Sequence, residues 1–73
     1  MSDWPILTPK ALIKILIKSD FELDRSKGSH QVFYNYKTKK RVVIPNHVKD
    51  LPKGTMLAII KEAGLTKNDL KNL

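Results

Sequence analysis

The chain contains no cysteine, so disulfide staples and thiolate metal sites are excluded. It has two histidines and seven carboxylates. No His-x-x-x-His or paired-carboxylate spacing joins them, which argues against a bound catalytic metal, and no cofactor is expected. No apolar run is long enough to span a bilayer, and no signal-peptide pattern opens the chain. The expectation is a cytoplasmic protein with no membrane partner. Seventy-three residues leave no room for a second domain, so residues 1–73 are read as one domain. A chain of this length buries only ~60% of its unfolded surface. A deep, enclosed active site is not expected; chemistry would sit in a shallow groove or need a partner.

Acidic residues are scarce in the middle of the chain. Residues 25–53 carry Arg25, Lys27, Lys37, Lys39, Lys40, Arg41, Lys49 and Lys53 against a single acid, Asp50. That excess equals the whole formal net charge of +7. Segregation of this kind marks a surface that faces a polyanion.

Thr8-Pro9 has the form of a helix start, with a hydroxyl cap and proline at the first helical position. Residues 9–18 follow at helical spacing. Ala11, Leu12, Ile15 and Leu16 form one stripe, and Lys10, Lys14 and Lys18 lie opposite. Ile13 and Ile17 fall on a third flank, either core edge or a protein-binding surface. The leader before this helix is expected to be pinned by Trp4 or Ile6. Phe21 to Arg25 alternates as a half-buried strand with Phe21 and Leu23 inward. Ser26-Lys27-Gly28 is a turn, and a second strand runs from about Ser29 to Tyr36. Alternation puts His30, Val32, Tyr34 and Tyr36 on one face, and Gln31, Phe33 and Asn35 on the other. Both faces carry apolar residues, so periodicity does not say which meets the core. Lys37 to Lys40 is a basic hairpin turn, and Arg41 to Ile44 is a β-branched strand closed by Pro45. After a loop holding His47, Pro52 opens a helix to about Ala63, with Gly64 as its C-cap. Its inward residues are Leu57 and Ile60, with Met56 and Ile59 as further candidates. Thr66 and Asp69 have capping-box spacing for a last short helix ending in Leu70 and Leu73. The resulting class is α+β, α-β-β-β-α with a final short helix. A three-stranded antiparallel sheet is covered by helices on one face, an arrangement shared with the double-stranded-RNA-binding fold.

The stretch from Gly28 to Phe33 holds the candidate chemistry. His30 stands at the mouth of a strand, just after Arg25, Lys27, Gly28 and Ser29. Histidine exchanges protons near neutral pH, and the flanking cations could hold a phosphate. Lys37, Lys39, Lys40 and Arg41 form a second phosphate-contacting candidate. Tyr34 and Tyr36 could stack unpaired bases. His47, beside Asn46 and Lys49, reads as a loop-capping or RNA-contacting residue ahead of a catalytic one, and with Tyr34 it is a candidate accessory residue of the site.

Three marks give the chain a family resemblance. They are Lys27-Gly28-Ser29-His30 followed by Phe33; Val43-Ile44-Pro45 with His47 two residues on; and Gly54-Thr55-Met56-Leu57 leading to Ile60, Lys61, Ala63, Gly64 and Leu65. Together they resemble the HicA family of small toxins from toxin–antitoxin pairs. Met56 replaces the family's usual leucine, a change that touches packing rather than the histidine. The resemblance implies a double-stranded-RNA-binding-like fold and cleavage of messenger RNA by a type II toxin. It also implies an essential histidine at His30 and a HicB-like antitoxin partner, with the toxin a monomer or in a hetero-oligomer with the antitoxin. Ile13 and Ile17 are then the candidate antitoxin interface.

RNA carries its own nucleophile, the 2′-hydroxyl. His30 as general base, with Arg25 and Lys27 on the phosphate, would suffice for metal-independent cleavage. The general acid is open between Tyr34, Lys27 and His30 itself. Two other readings share the basic surface: a non-catalytic RNA-binding module of the same fold, and a domain that meets an acidic protein.

Overall fold

The structure, a computed structural model, describes residues 6–71. Its elements run α1 (Pro9–Lys18), β1 (Glu22–Lys27), β2 (His30–Asn35), β3 (Lys40–Pro45), α2 (Lys53–Ala63) and α3 (Lys67–Lys71). The strands form one antiparallel sheet in the order β1-β2-β3. This is the expected α+β fold, consistent with the double-stranded-RNA-binding architecture.

Helix α1 begins as its sequence dictates. The Thr8 hydroxyl accepts the Ala11 N–H at 3.1 Å, and Pro9 occupies the first turn, where its missing N–H costs nothing. The helix ends in a Schellman motif: the Phe21 N–H donates to the Leu16 carbonyl at 2.9 Å and the Asp20 N–H to Ile17 at 3.2 Å. Asp20 takes the left-handed position, φ 73°. Phe21 is therefore the apolar residue just past a helix end, buried against the core, rather than the first residue of a strand. Helix α2 ends the same way. Leu65 donates to Ile60 and Gly64 to Lys61, with Gly64 at φ 74°. A Cβ built on Gly64 would lie 3.1 Å from Lys40 Cε. Gly64→Ala should therefore cost about 1–2 kcal/mol, mostly from left-handed strain, since the Lys40 chain can shift. A denaturant midpoint lowered at unchanged m-value would show it.

The core lies between the helices and one face of the sheet. Leu12, Ile15 and Leu16 from α1 meet Phe33 from β2, Val42 and Ile44 from β3, and Met56, Ile59, Ile60 and Ala63 from α2. Leu57, expected inward, is only half-buried against this cluster. The leader is held by Leu7, which is buried and accepts the Leu51 N–H at 2.9 Å; Ile6 is exposed and pins nothing. Trp4 and Leu73, named above, lie outside the described residues. The α3 cap forms, with the Asp69 carboxylate accepting the Thr66 N–H at 2.7 Å.

Both β2 and β3 send residues into the core beneath the helices, whereas every residue of β1 is exposed. Leu23 shares a face with its partner Phe33 but is 51% exposed, so the expectation that it points into the core is corrected. Ile13 is half-buried and packed on the core, so of the two flank residues only Ile17, 56% exposed, is free on the surface.

Candidate functional site

His30 lies on the face of the sheet turned away from the helices. The burial of Phe33 and Asn35 makes the Gln31-Phe33-Asn35 face the core side. His30, Val32 and Tyr34 therefore occupy the open side, and the His30 ring is exposed. The turn that carries it is tighter than expected. Lys27 belongs to β1 and pairs directly with His30, leaving Gly28-Ser29 as a two-residue hairpin loop. Gly28 has φ 59°, the conformation such loops demand of their first residue and glycine accepts without strain. A Cβ there would meet nothing within 4 Å, so the space before the loop is open.

A bulge in β1 assembles the cations. The pairing register slips between Leu23 and Arg25, with Asp24 as the extra residue. Unbroken alternation from Leu23 would turn Arg25 and Lys27 to the helix side. The inserted residue reverses the phase, so that Arg25 pairs with Val32 and Lys27 with His30 on the open face. Among the described residues Lys27 has no ion pair, which leaves its charge available to an anion.

His47 joins this end of the sheet. Its ring centroid is 6.0 Å from that of His30, with the planes tilted by 58°. The loop that carries it is tied at both ends. Asn46 N–H donates to the Ser29 carbonyl at 2.6 Å, and Leu51 N–H to Leu7. Val48 packs against the core between them. Neither imidazole has a hydrogen-bond or ion-pair partner among the described residues.

The expected basic hairpin does not belong to this cluster. It lies at the far end of β2, roughly 17 Å along the strand from His30. It turns at Tyr36–Lys39 rather than one residue later, and Lys39 takes φ 64°. Its charges are largely engaged. Lys37 Nζ is 3.3 Å from an Asp20 carboxylate oxygen. Arg41 donates to Asp24 at 2.9 Å, and Arg25 Nε lies 3.7 Å from the same oxygen. Lys40 lies over the C-terminal end of α2, where a cation is favoured by the helix dipole. Among the described residues Lys39 alone of the four has neither a carboxylate nor a helix end beside it. The tyrosines are also partnered: the Arg41 guanidinium stands 4.9 Å over the Tyr34 ring, and Tyr36 meets Tyr34 edge-on at 4.7 Å. A base stacking on Tyr34 would have to displace Arg41. Tyr36, 57% exposed, offers the more open ring. Tyr34 also sits roughly 13 Å along the strand from His30, too far to share one phosphate with it.

Two features were not visible in the sequence: the closeness of His47 to His30 and the bulge. The first follows from the hairpin register, which pairs His30 with Pro45 and leaves His47 two residues beyond. Among the described residues no group of three or more His, Cys, Asp or Glu is gathered, and no helix is long and apolar enough to cross a membrane.

Comparison with curated proteins gives no match. Comparison with protein families matches residues 9–65, from the first residue of α1 to just past α2, to the family described as the HicA toxin of bacterial toxin–antitoxin pairs. The match includes the turn that carries His30, the bulged strand and the loop with His47, and the chain belongs to the HicA toxin family.

Proposed function

We propose that this toxin is a metal-independent endoribonuclease that cleaves messenger RNA with His30 as general base. The single observation that carries the proposal is the exposed His30 imidazole paired across the strands with Lys27, on a sheet face that no helix covers. A phosphodiester laid across this end would meet Lys27 and Arg25 at its non-bridging oxygens. Its 2′-hydroxyl would meet His30. The imidazole takes the 2′-proton, the 2′-oxygen attacks phosphorus in line, and the cations stabilise the charge that builds on the phosphorane. Gly28, with nothing within 4 Å of a Cβ built on it, leaves the backbone there open to the phosphate.

Purified chain incubated with a labelled mixed-sequence RNA in excess EDTA should produce discrete fragments. An intact substrate with a salt-dependent gel shift would refute cleavage and support an RNA-binding module instead.

The family implies an antitoxin; we propose a HicB-like protein, acting in the cytoplasm. Part of its footprint is assigned to the groove of about 340 Å3 lined by Ile17, Phe21 and Tyr36 with Asp20, Glu22 and Lys37. Ile17→Glu should weaken antitoxin binding at least tenfold and leave the circular dichroism spectrum unchanged, because the side chain is exposed. Ile13→Glu should instead lower the melting temperature, because that side chain packs on the core. Unchanged affinity for Ile17→Glu by titration calorimetry would place the antitoxin elsewhere.

A further inference from the structure

We propose that His47 is the general acid of the same site, protonating the leaving 5′-oxygen while His30 takes the 2′-proton. This rests on the ribonuclease reading above. In-line cleavage needs proton transfer at two oxygens on opposite sides of one phosphorus. A single imidazole on one side can serve only one of them at a time. The ring centroids of His30 and His47 are 6.0 Å apart. At this separation one phosphate seated over the pair, rather than between the rings, is within a hydrogen bond of ~2.6–3.2 Å of each. Both rings are exposed and without hydrogen-bond or ion-pair partners among the described residues, so each has a nitrogen to spare for substrate.

The placement is built rather than incidental. Pro45 closes β3 directly opposite His30. The next residue, Asn46, is fastened to the Ser29 carbonyl, in the same loop that presents His30. Val48, on the other side of His47, is packed on the core. His47 is thus fixed from both flanks to the hairpin whose histidine it faces, and little reorganisation is needed on substrate binding. The alternative acids fit less well: Tyr34 is roughly 13 Å along the strand, and Lys27 lies on the cation side that neutralises the phosphate.

The 2′-oxygen gives its proton to neutral His30 and forms a bond to phosphorus. The bond from phosphorus to the 5′-oxygen breaks, and the electron pair leaves on that oxygen, which receives a proton from protonated His47. The products are a 2′,3′-cyclic phosphate and a 5′-hydroxyl. His30 ends protonated and His47 neutral, and exchange with water restores both.

The test uses the full chain, its His47→Ala, His47→Gln and His30→Ala variants, and two RNAs. The first is an oligonucleotide containing the linkage mapped as cleaved. The second carries sulfur in place of the bridging 5′-oxygen at that linkage. A thiolate leaves without a proton, because a thiol titrates near ~8.5. On ordinary RNA both His47 variants should lose ~10²–10⁴ in single-turnover rate. On the sulfur-bridged RNA they should recover to within about tenfold of wild type, while His30→Ala stays inactive. All variants should melt with the wild type, since both positions are exposed. Equal losses for His47→Ala on both RNAs would overturn the assignment, as would rescue of His30→Ala in its place. Full activity of His30→Ala on ordinary RNA would instead refute the base on which the reading rests.

Discussion

His30→Ala should lose ~10²–10⁴ in the rate of RNA cleavage and keep most of its RNA affinity. The two quantities separate because different groups supply them. Affinity comes from cations that displace counterions from phosphates, and its signature is a steep fall with salt. Lys27 and Arg25 supply that charge, and the substitution leaves both in place on the open face. The imidazole contributes the proton transfer, which alanine cannot replace. The ring is exposed and makes no hydrogen bond to the body of the protein among the described residues, so its removal should not unfold the domain. Single-turnover cleavage and gel-shift titration across a salt series measure the two effects on the same preparation. A parallel loss of binding and cleavage, with an unchanged melting temperature, would make His30 a binding residue and not a base.

Asn35→Ala should destabilise the fold by about 2–4 kcal/mol, the combined worth of three hydrogen bonds and a buried vacancy. Asn35 is the one buried polar side chain among the described residues. Its Nδ2 donates to the Ser19 carbonyl at 3.0 Å, at the end of α1. Its Oδ1 accepts from the Lys37 and Thr38 N–H groups at 2.9 and 3.1 Å, within the β2–β3 turn. One amide therefore ties the helix end to the hairpin, and both sets of backbone groups lose a partner on truncation. A domain of this length is stable by only ~4–11 kcal/mol, so a drop in melting temperature of roughly 10–25 °C is expected. Thr38→Ala, at an exposed neighbouring position in the same turn, should melt close to wild type. Equal melting of Asn35→Ala and the wild type would show that solvent replaces the amide without cost.

The helices were legible because their signals are local. Thr8, Pro9, Gly64 and Asp69 act on backbone groups within four residues, and each cap or helix end formed where its residue type required. The sheet was less so, because register depends on partners distant in sequence. Phe21 has the burial expected of an inward strand residue, yet the left-handed Asp20 puts it at a helix end. Leu23 obeys the alternation and is still exposed, because β1 is the edge strand and none of its residues is buried. The bulge at Asp24 leaves no mark in the hydrophobic pattern. Its carboxylate reaches Arg41 on β3, a contact separated by the whole of β2. Without that bulge, the two cations beside His30 would sit on the opposite face from it. The face of His30 was undecidable for a related reason: Val32 and Phe33 are both apolar, and only the packing of Phe33 among α1 and α2 decides between them. The cationic residues were found as a cluster by composition alone. The fold divides them, leaving Arg25 and Lys27 at the histidine end and Lys37 to Arg41 at the other, where Asp20, Asp24 and α2 engage three of the four.

The chemistry assigned to this face makes one demand that no binding module shares: the nucleophile belongs to the RNA. The most direct measurement is therefore of the product ends. Fragments made in excess EDTA by the purified chain should be resolved by mass spectrometry, alongside a substrate carrying a single 2′-deoxy sugar at the mapped linkage. Attack by the 2′-hydroxyl requires 2′,3′-cyclic phosphate and 5′-hydroxyl ends, and no cleavage at the deoxy position. Products ending in 3′-hydroxyl and 5′-phosphate, or cleavage that persists at the deoxy sugar, would contradict it.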